Sequence, residues 1–300
     1  MRKMGKLYSA LAILSIIWGT SFLFVTLLLE DLGPAGVVFG RCLFGFLMLA
    51  IFTLVKREKI HYKDLPLKKL FLVGILNNAL PWLLISMGQT KISSSLASII
   101  NATTPIWTLL IGTLFFSTVL RKNQWIGIGL GFIGIFVISD LKSGDFLSGH
   151  FSGILFLLGA TICYGAGTQL TKKYLGQVST LHISLFTLFF ASLISFFVML
   201  VSSPESIVAF AEWHVIFSLL GLGSLGSGVA YLIYYYLIKK GGPEFASLVT
   251  YLVPGSAILW GAFILGESIH FSMIVGLLII FLGVYITSNK EKRKRGKAAA

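Results

Sequence analysis

Apolar residues follow one another along this chain in long unbroken blocks. Stretches without Asp, Glu, Lys or Arg run over residues 7–29, 70–90, 92–120, 174–204, 213–238 and 245–266. Each matches or exceeds the roughly 20 helical residues that cross a hydrocarbon core of about 30 Å. A transmembrane β-strand would instead alternate polar and apolar positions over about ten residues, and these blocks do not. The pattern predicts an all-α polytopic membrane protein. Ten spans are expected, at 7–29, 34–55, 68–88, 93–117, 122–139, 150–171, 179–201, 212–238, 243–265 and 268–288.

Composition agrees: 56% of the 300 residues are hydrophobic and 12% charged, with a mean hydropathy of +0.90. One soluble domain of that size could not hide so much apolar surface. The formal net charge of +13 raises nucleic acid as a partner, but position decides against it. Twenty-one Lys and Arg fall at one set of span ends, including Lys56, Arg57, Lys172, Lys173, Lys239, Lys240 and the tail Lys290–Lys297. Only Lys91 and Lys142 fall at the other set, and Arg41 lies inside a span. The positive-inside rule then predicts a protein of the inner (cytoplasmic) membrane with both termini in the cytoplasm. The tail either serves orientation alone or also touches anionic lipid or RNA without specificity. Residues 7–29 read as the first span rather than a cleavable signal. Cys42 and Cys163 have no disulfide or metal context.

Sliding the chain against itself by 149 positions aligns Ala97-Ser98 with Ala246-Ser247, Pro105 with Pro254, Gly112 with Gly261, Gly127 with Gly276 and Gly134 with Gly283. At an offset of 146, Trp18-Gly19 falls on Tyr164-Gly165. Two five-helix repeats, residues 1–142 and 146–300, are expected. An odd number of spans per repeat makes the second enter the membrane from the opposite side, an arrangement common in transporters. In these residues the chain resembles the EamA-type transporters of the drug/metabolite transporter superfamily. The resemblance rests on Ile17-Trp18-Gly19-Thr20-Ser21-Phe22, on an Arg after a Pro-led start (Pro34 to Arg41), and on Ala246-Ser247, Pro254, Leu265-Gly266-Glu267-Ser268, Gly276 and Leu282-Gly283-Val284. The family often repeats the Gly-Glu corner in its first half, whereas this chain has Ser117-Thr118 there. The resemblance implies export of small metabolites, amino acids and related compounds among them.

The candidate substrate-binding residues are Arg41, Trp18, Asn77, Asn78, Asn101, Thr104, Pro105, Tyr164, Thr250 and Pro254. Arg41 lies about 10 Å into its span, where a charge costs roughly 2.5–3.5 kcal/mol on insertion scales. It snorkels to the outer headgroups, caps a neighbouring helix's carbonyls, or serves as counter-ion to a substrate carboxylate. Pro105 and Pro254 free the carbonyls of Asn101 and Thr250, and Thr103 and Thr104 add polar groups beside the first kink. Either these prolines merely curve their helices or, as paired breaks, they centre the pathway. Asn77 and Asn78, at mid-span, either bond another helix or face water. Trp18 and Tyr164 pack or line a cavity, with Trp82, Trp107 and Trp260 as weaker candidates. Tyr234, Tyr235 and Tyr236 read as an interfacial belt. Glu267 opens the tenth span, as a cap at its positive end or as a gate and coupling site. His182, His214 and His270 are placed towards outer ends, without metal-ligand spacing.

Rows of small residues at Gly127, Gly131, Gly134, Gly276 and Gly283 let two helices approach closely, so the fifth and tenth spans are expected to meet, either within one chain or between two as a homodimer. No phosphate-binding loop, catalytic carboxylate pair or zinc signature is present, so no cofactor and no enzyme activity are expected. With Arg41 and no acid at its depth, an anionic or zwitterionic metabolite fits better than a cationic drug. The mechanism expected is alternating access by a secondary transporter. A lipid or isoprenoid-carrier flippase of the same architecture is the competing class, and a passive channel a third.

Overall fold

The computed structural model describes residues 2–58, 65–117, 122–139 and 149–288, and these are helical with no strand among them. The basic tail, Lys142 and the junction between the expected repeats lie outside the described residues. Seven helices are long and apolar enough to cross a membrane: Gly5–Val55, Leu67–Gln89, Ser94–Phe116, Gly149–Leu175, Thr180–Ser202, Trp213–Gly241 and Phe245–Ile264. Two more helices, Lys122–Ser139 and Phe271–Ser288, pack along each other.

The first of the seven has 51 residues, more than twice the length a bilayer needs. Gly33 divides it, with φ +61° and ψ 175°, a conformation that only glycine adopts without strain. Pro34 follows and starts the second limb with φ already fixed for a helix. Two limbs, 2–32 and 34–55, therefore meet at a tight corner where the sequence predicts a loop.

The molecule is apolar outside and polar within. Phe263 (81% exposed), Phe271 (80%) and Val201 (87%) stand at the periphery. Arg41, Asn77, Asn78, Asn101, Thr103, Thr108, Thr161, Thr168, Thr187 and Ser227 are all buried. Large outward-facing hydrocarbon patches need lipid to cover them. In lipid, the Ser and Thr hydroxyls can bond back to their own helix, as Thr168 does to the Tyr164 carbonyl at 2.6 Å and Thr187 to that of Ser184 at 3.2 Å.

The glycine rows meet within one chain: a side chain on Gly134 would meet the Gly276 carbonyl at 2.8 Å, and one on Gly283 the Gly127 carbonyl at 2.7 Å. Two expectations change here. His182 is not grouped with His214. It approaches Glu58 at 4.0 Å, while His214 sits 2.9 Å from Asp31 beside the Gly33 corner, at the opposite end of the bundle. The two proline spans also break differently. The first divides into Ser94–Asn101 and Thr104–Phe116, just before Pro105, whereas the second divides at Leu248 and carries Pro254 inside the helix Val249–Ile264.

Two further breaks went unforeseen. Ile75–Ala79 and Leu220–Val229 are π-helical, and with the offset of 149 the first falls inside the second. Such widened turns loosen the backbone ladder and recur at functional sites.

Candidate functional site

Proline 81 has no N–H, so the Asn77 carbonyl four residues earlier loses its helical partner. The Tyr231 hydroxyl donates to it instead. In the second π segment the Ala230 N–H reaches back to Leu225 rather than to Gly226. The freed Gly226 carbonyl accepts from Trp18 Nε1 at 3.2 Å. Asn77 and Gly226 are equivalent at the 149 offset, so one carbonyl is released in each π segment, and each is held by an aromatic donor far away in the chain, 154 and 208 residues off.

These donors belong to an aromatic wall. Trp18 lies 5.1 Å from Tyr234 and 5.8 Å from Tyr231 between ring centroids, and Trp82 meets Tyr231 edge-on at 5.4 Å. Tyr231, Tyr234 and Tyr235 are 1%, 3% and 0% exposed, which overturns the interfacial belt. Their spacing of three and four residues puts them on one helix face. Tyr234 bonds Thr168 at 2.5 Å and Tyr235 bonds Thr187 at 3.3 Å, so their polar tips are satisfied inside the bundle.

Arg41 lies against this wall. Its guanidinium carbon is 3.7 Å from the centre of the Trp82 ring, and Nε donates to Ser227 Oγ at 3.2 Å. Ser227 in turn donates to the Leu222 carbonyl five residues back, a bond of the π turn, so the widened helix positions the hydroxyl. Arg41 is 4% exposed, and among the described residues no carboxylate and no further acceptor engages it. Stacking on tryptophan steadies a cation without neutralising it. The two terminal NH2 groups keep their hydrogen-bonding capacity for something else. Snorkelling is therefore not what Arg41 does.

A cavity opens beside the stack. Six of the ten expected binding residues line it: Trp18, Arg41, Asn101, Thr104, Tyr164 and Thr250. Ser21, Phe22, Val25, Trp82, Ile85, Gln89 and Tyr234 complete the lining. The wall is thus built from both limbs of the first helix and from five later helices. Asn77, Asn78, Pro105 and Pro254 do not reach the cavity. Asn77 bonds Thr171 of a neighbouring helix at 3.3 Å, and Asn78 is fully buried away from it. Pro105 acts indirectly: the Asn101 carbonyl it frees is taken by Thr104 Oγ1 at 2.7 Å, which leaves the Asn101 amide to the cavity.

Glu267 is not in the cavity either, and it does not cap its own helix. Its carboxylate accepts from Ser94 N at 2.7 Å, Ser95 N at 2.9 Å and Ser95 Oγ at 2.5 Å, at the start of the Ser94–Asn101 helix. It therefore closes the positive end of a different helix, the one that carries Asn101. Gly261 lets the two helices come this close, since a side chain there would meet both Glu267 Oε2 and Ser95 Oγ at 2.5 Å.

Gln89, Trp82 and Tyr234 are the lining residues that the sequence undervalued. The tyrosine face was legible from spacing. Nothing in the linear order pairs Trp82 with Arg41, because their contact depends on how two helices cross.

The model of the EamA-like transporter family matches the chain twice, over residues 6–140 and 151–289. The chain belongs to the EamA-like transporter family. Its EamA relatives include an uncharacterized transporter of Archaeoglobus fulgidus, 24% identical over 95% of this chain and all of that one. The uncharacterized inner membrane transporter YedA of Escherichia coli is 28% identical over 96% of this chain and 93% of its own. The protein PagO of Salmonella typhimurium is 23% identical over 92% and 90% respectively. A solved crystal structure superposes with a TM-score of 0.65 over 93% of this chain and 98% of its own at 14% identity, which shows a shared fold. Membership of the EamA-like family marks the chain as a membrane transporter rather than an enzyme.

Proposed function

We propose that the chain is a secondary transporter that exports small anionic or zwitterionic metabolites, amino acids and related compounds among them, across the cytoplasmic membrane by alternating access. Ten spans in two inverted repeats of about 1–142 and 146–300 carry it, with both termini in the cytoplasm. The double family match, the corner at Gly33 and the equivalent π segments support the repeat. The crowding of Lys and Arg at one set of helix ends supports the orientation.

The observation that carries the substrate reading is Arg41: a buried cation on the wall of a cavity, stacked on Trp82, with no carboxylate partner among the described residues. An anion entering the cavity supplies the missing charge and accepts from the terminal NH2 groups. Binding energy gained there is available to shift the equilibrium between two packings of the bundle. The π segments and the break before Pro105 are where the backbone can yield: the break carries the lining residues Asn101 and Thr104, and the second π segment is bonded to the lining residue Trp18.

The test is uptake of labelled amino acids into proteoliposomes holding the full chain, with Arg41→Ala and Arg41→Lys beside wild type. A pH gradient is imposed as a second condition. Transport that Arg41→Ala abolishes and Arg41→Lys restores only in part supports the counter-ion role, since lysine keeps the charge but not the planar stack. Scrambling of labelled lipid in the same vesicles, with no amino-acid flux, would move the flippase to first place.

A further inference from the structure

One polar group on the cavity wall is built in and unspent. Gln89 is 7% exposed, and its Nε2 donates to the Phe22 carbonyl at 3.0 Å and to Thr26 Oγ1 at 2.9 Å. Thr26 donates its own hydrogen to the Phe22 carbonyl at 3.2 Å, so its oxygen is free to accept from the amide. The Phe22 carbonyl fixes which end of the amide is nitrogen, because a flipped Gln89 would set oxygen against oxygen there. Oε1 is therefore the other end, and it has no partner. A buried carbonyl oxygen left unpaired costs stability, and only a hydrogen-bond donor relieves it. Asn101 Oδ1 is also unpartnered on this wall, but no hydrogen bond sets its amide's orientation.

Gln89 stands seven residues beyond Trp82 on one helix, about 10 Å along its axis from the ring on which Arg41 rests. Phe22, Val25 and Ile85 line the same cavity. A single amide oxygen among apolar side chains suits a neutral O–H or N–H far better than a charged ammonium, which needs more compensation than one acceptor gives.

We infer that Gln89 is a specificity-determining residue which selects substrates carrying a neutral hydrogen-bond donor several bonds away from their anionic group. This rests on the proposal that Arg41 binds the anion. A molecule lacking the distal donor leaves Oε1 unpaired in the loaded state, and sites of this kind reject such analogues strongly.

Equilibrium binding to the detergent-solubilised full chain tests it with three probes. They are 3-(4-hydroxyphenyl)propanoate, 3-phenylpropanoate and 2-hydroxy-3-phenylpropanoate, which share a carboxylate and differ in where a hydroxyl sits, if anywhere. The 4-hydroxyphenyl probe should bind about tenfold or more tightly than the other two. Gln89→Leu should bring the three affinities together, and Gln89→Glu, which keeps an acceptor, should retain a preference. The preference is a ratio within one preparation, so loss of folded protein lowers all three signals and leaves it unchanged. Equal affinities in wild type, or a preference that survives Gln89→Leu, would overturn the role of Gln89 while Arg41-dependent binding stands. Binding of none of the probes, or binding indifferent to Arg41→Ala, would overturn the anion site and this inference with it.

Discussion

Replacing Glu267 with alanine strips three hydrogen bonds from the start of the Ser94–Asn101 helix in one step. The lost acceptor serves Ser94 N, Ser95 N and Ser95 Oγ at 2.7, 2.9 and 2.5 Å. Hydrogen bonds to charged groups net about 1.5–3 kcal/mol each when well shielded. Glu267 is only half-buried, and water can reach part of what it leaves behind. Loss of a capping side chain alone costs about 1 kcal/mol, so a total near 2–3 kcal/mol is expected. In a chain of this size each kcal/mol moves the melting temperature by about 2 °C, which predicts a fall of about 4–6 °C. Thermal unfolding of the solubilised protein, followed by tryptophan fluorescence, reads it directly. Ser95→Ala removes only the hydroxyl bond and should cost about a third as much. A Glu267→Ala protein melting within about 1 °C of wild type would refute the reasoning, as would a Ser95→Ala loss of equal size.

Thr104→Val should leave the Asn101 carbonyl without its 2.7 Å donor and cost about 1–3 kcal/mol, whereas Thr104→Ser should be nearly silent in the same melting assay. Trp18→Phe and Tyr231→Phe each delete one donor to a π-segment carbonyl. Each should lower stability by roughly 1–3 kcal/mol, and their double mutant should cost no less than the larger single change. Gly134→Leu should wedge apart the helices Lys122–Ser139 and Phe271–Ser288 and lower the yield of folded protein, because even its Cβ meets the Gly276 carbonyl at 2.8 Å. Gly129→Leu on the same helix meets nothing within 4 Å and is the control expected to behave as wild type.

Most of the helix boundaries were legible because lipid imposes a one-dimensional rule: apolar length. The corner at Gly33 was legible as a boundary but not as a two-limbed continuous helix, since φ at one glycine decides that. Arg41, Trp18, Tyr164, Asn101, Thr104 and Thr250 were found as polar or aromatic residues out of place in apolar blocks, and they share the cavity. Asn77 and Asn78 carried the same signal and lie outside the cavity, because composition does not say which way a helix is rotated. Glu267 was visible as a carboxylate at a helix start, but the helix it closes lies 172 residues earlier in the chain. The π segments were hidden altogether. Pro81 was their one available sign, and it is read only by counting back to the carbonyl it abandons.

The exchange of donors between Asn77–Tyr231 and Gly226–Trp18 bears on how such a chain is made. Asn77 is synthesised 154 residues before Tyr231, so its oxygen waits with its eventual donor not yet translated. Ordinary multidomain proteins mature segment by segment from the N-terminus, and this one has to hold its opening segments unfinished until the later ones arrive.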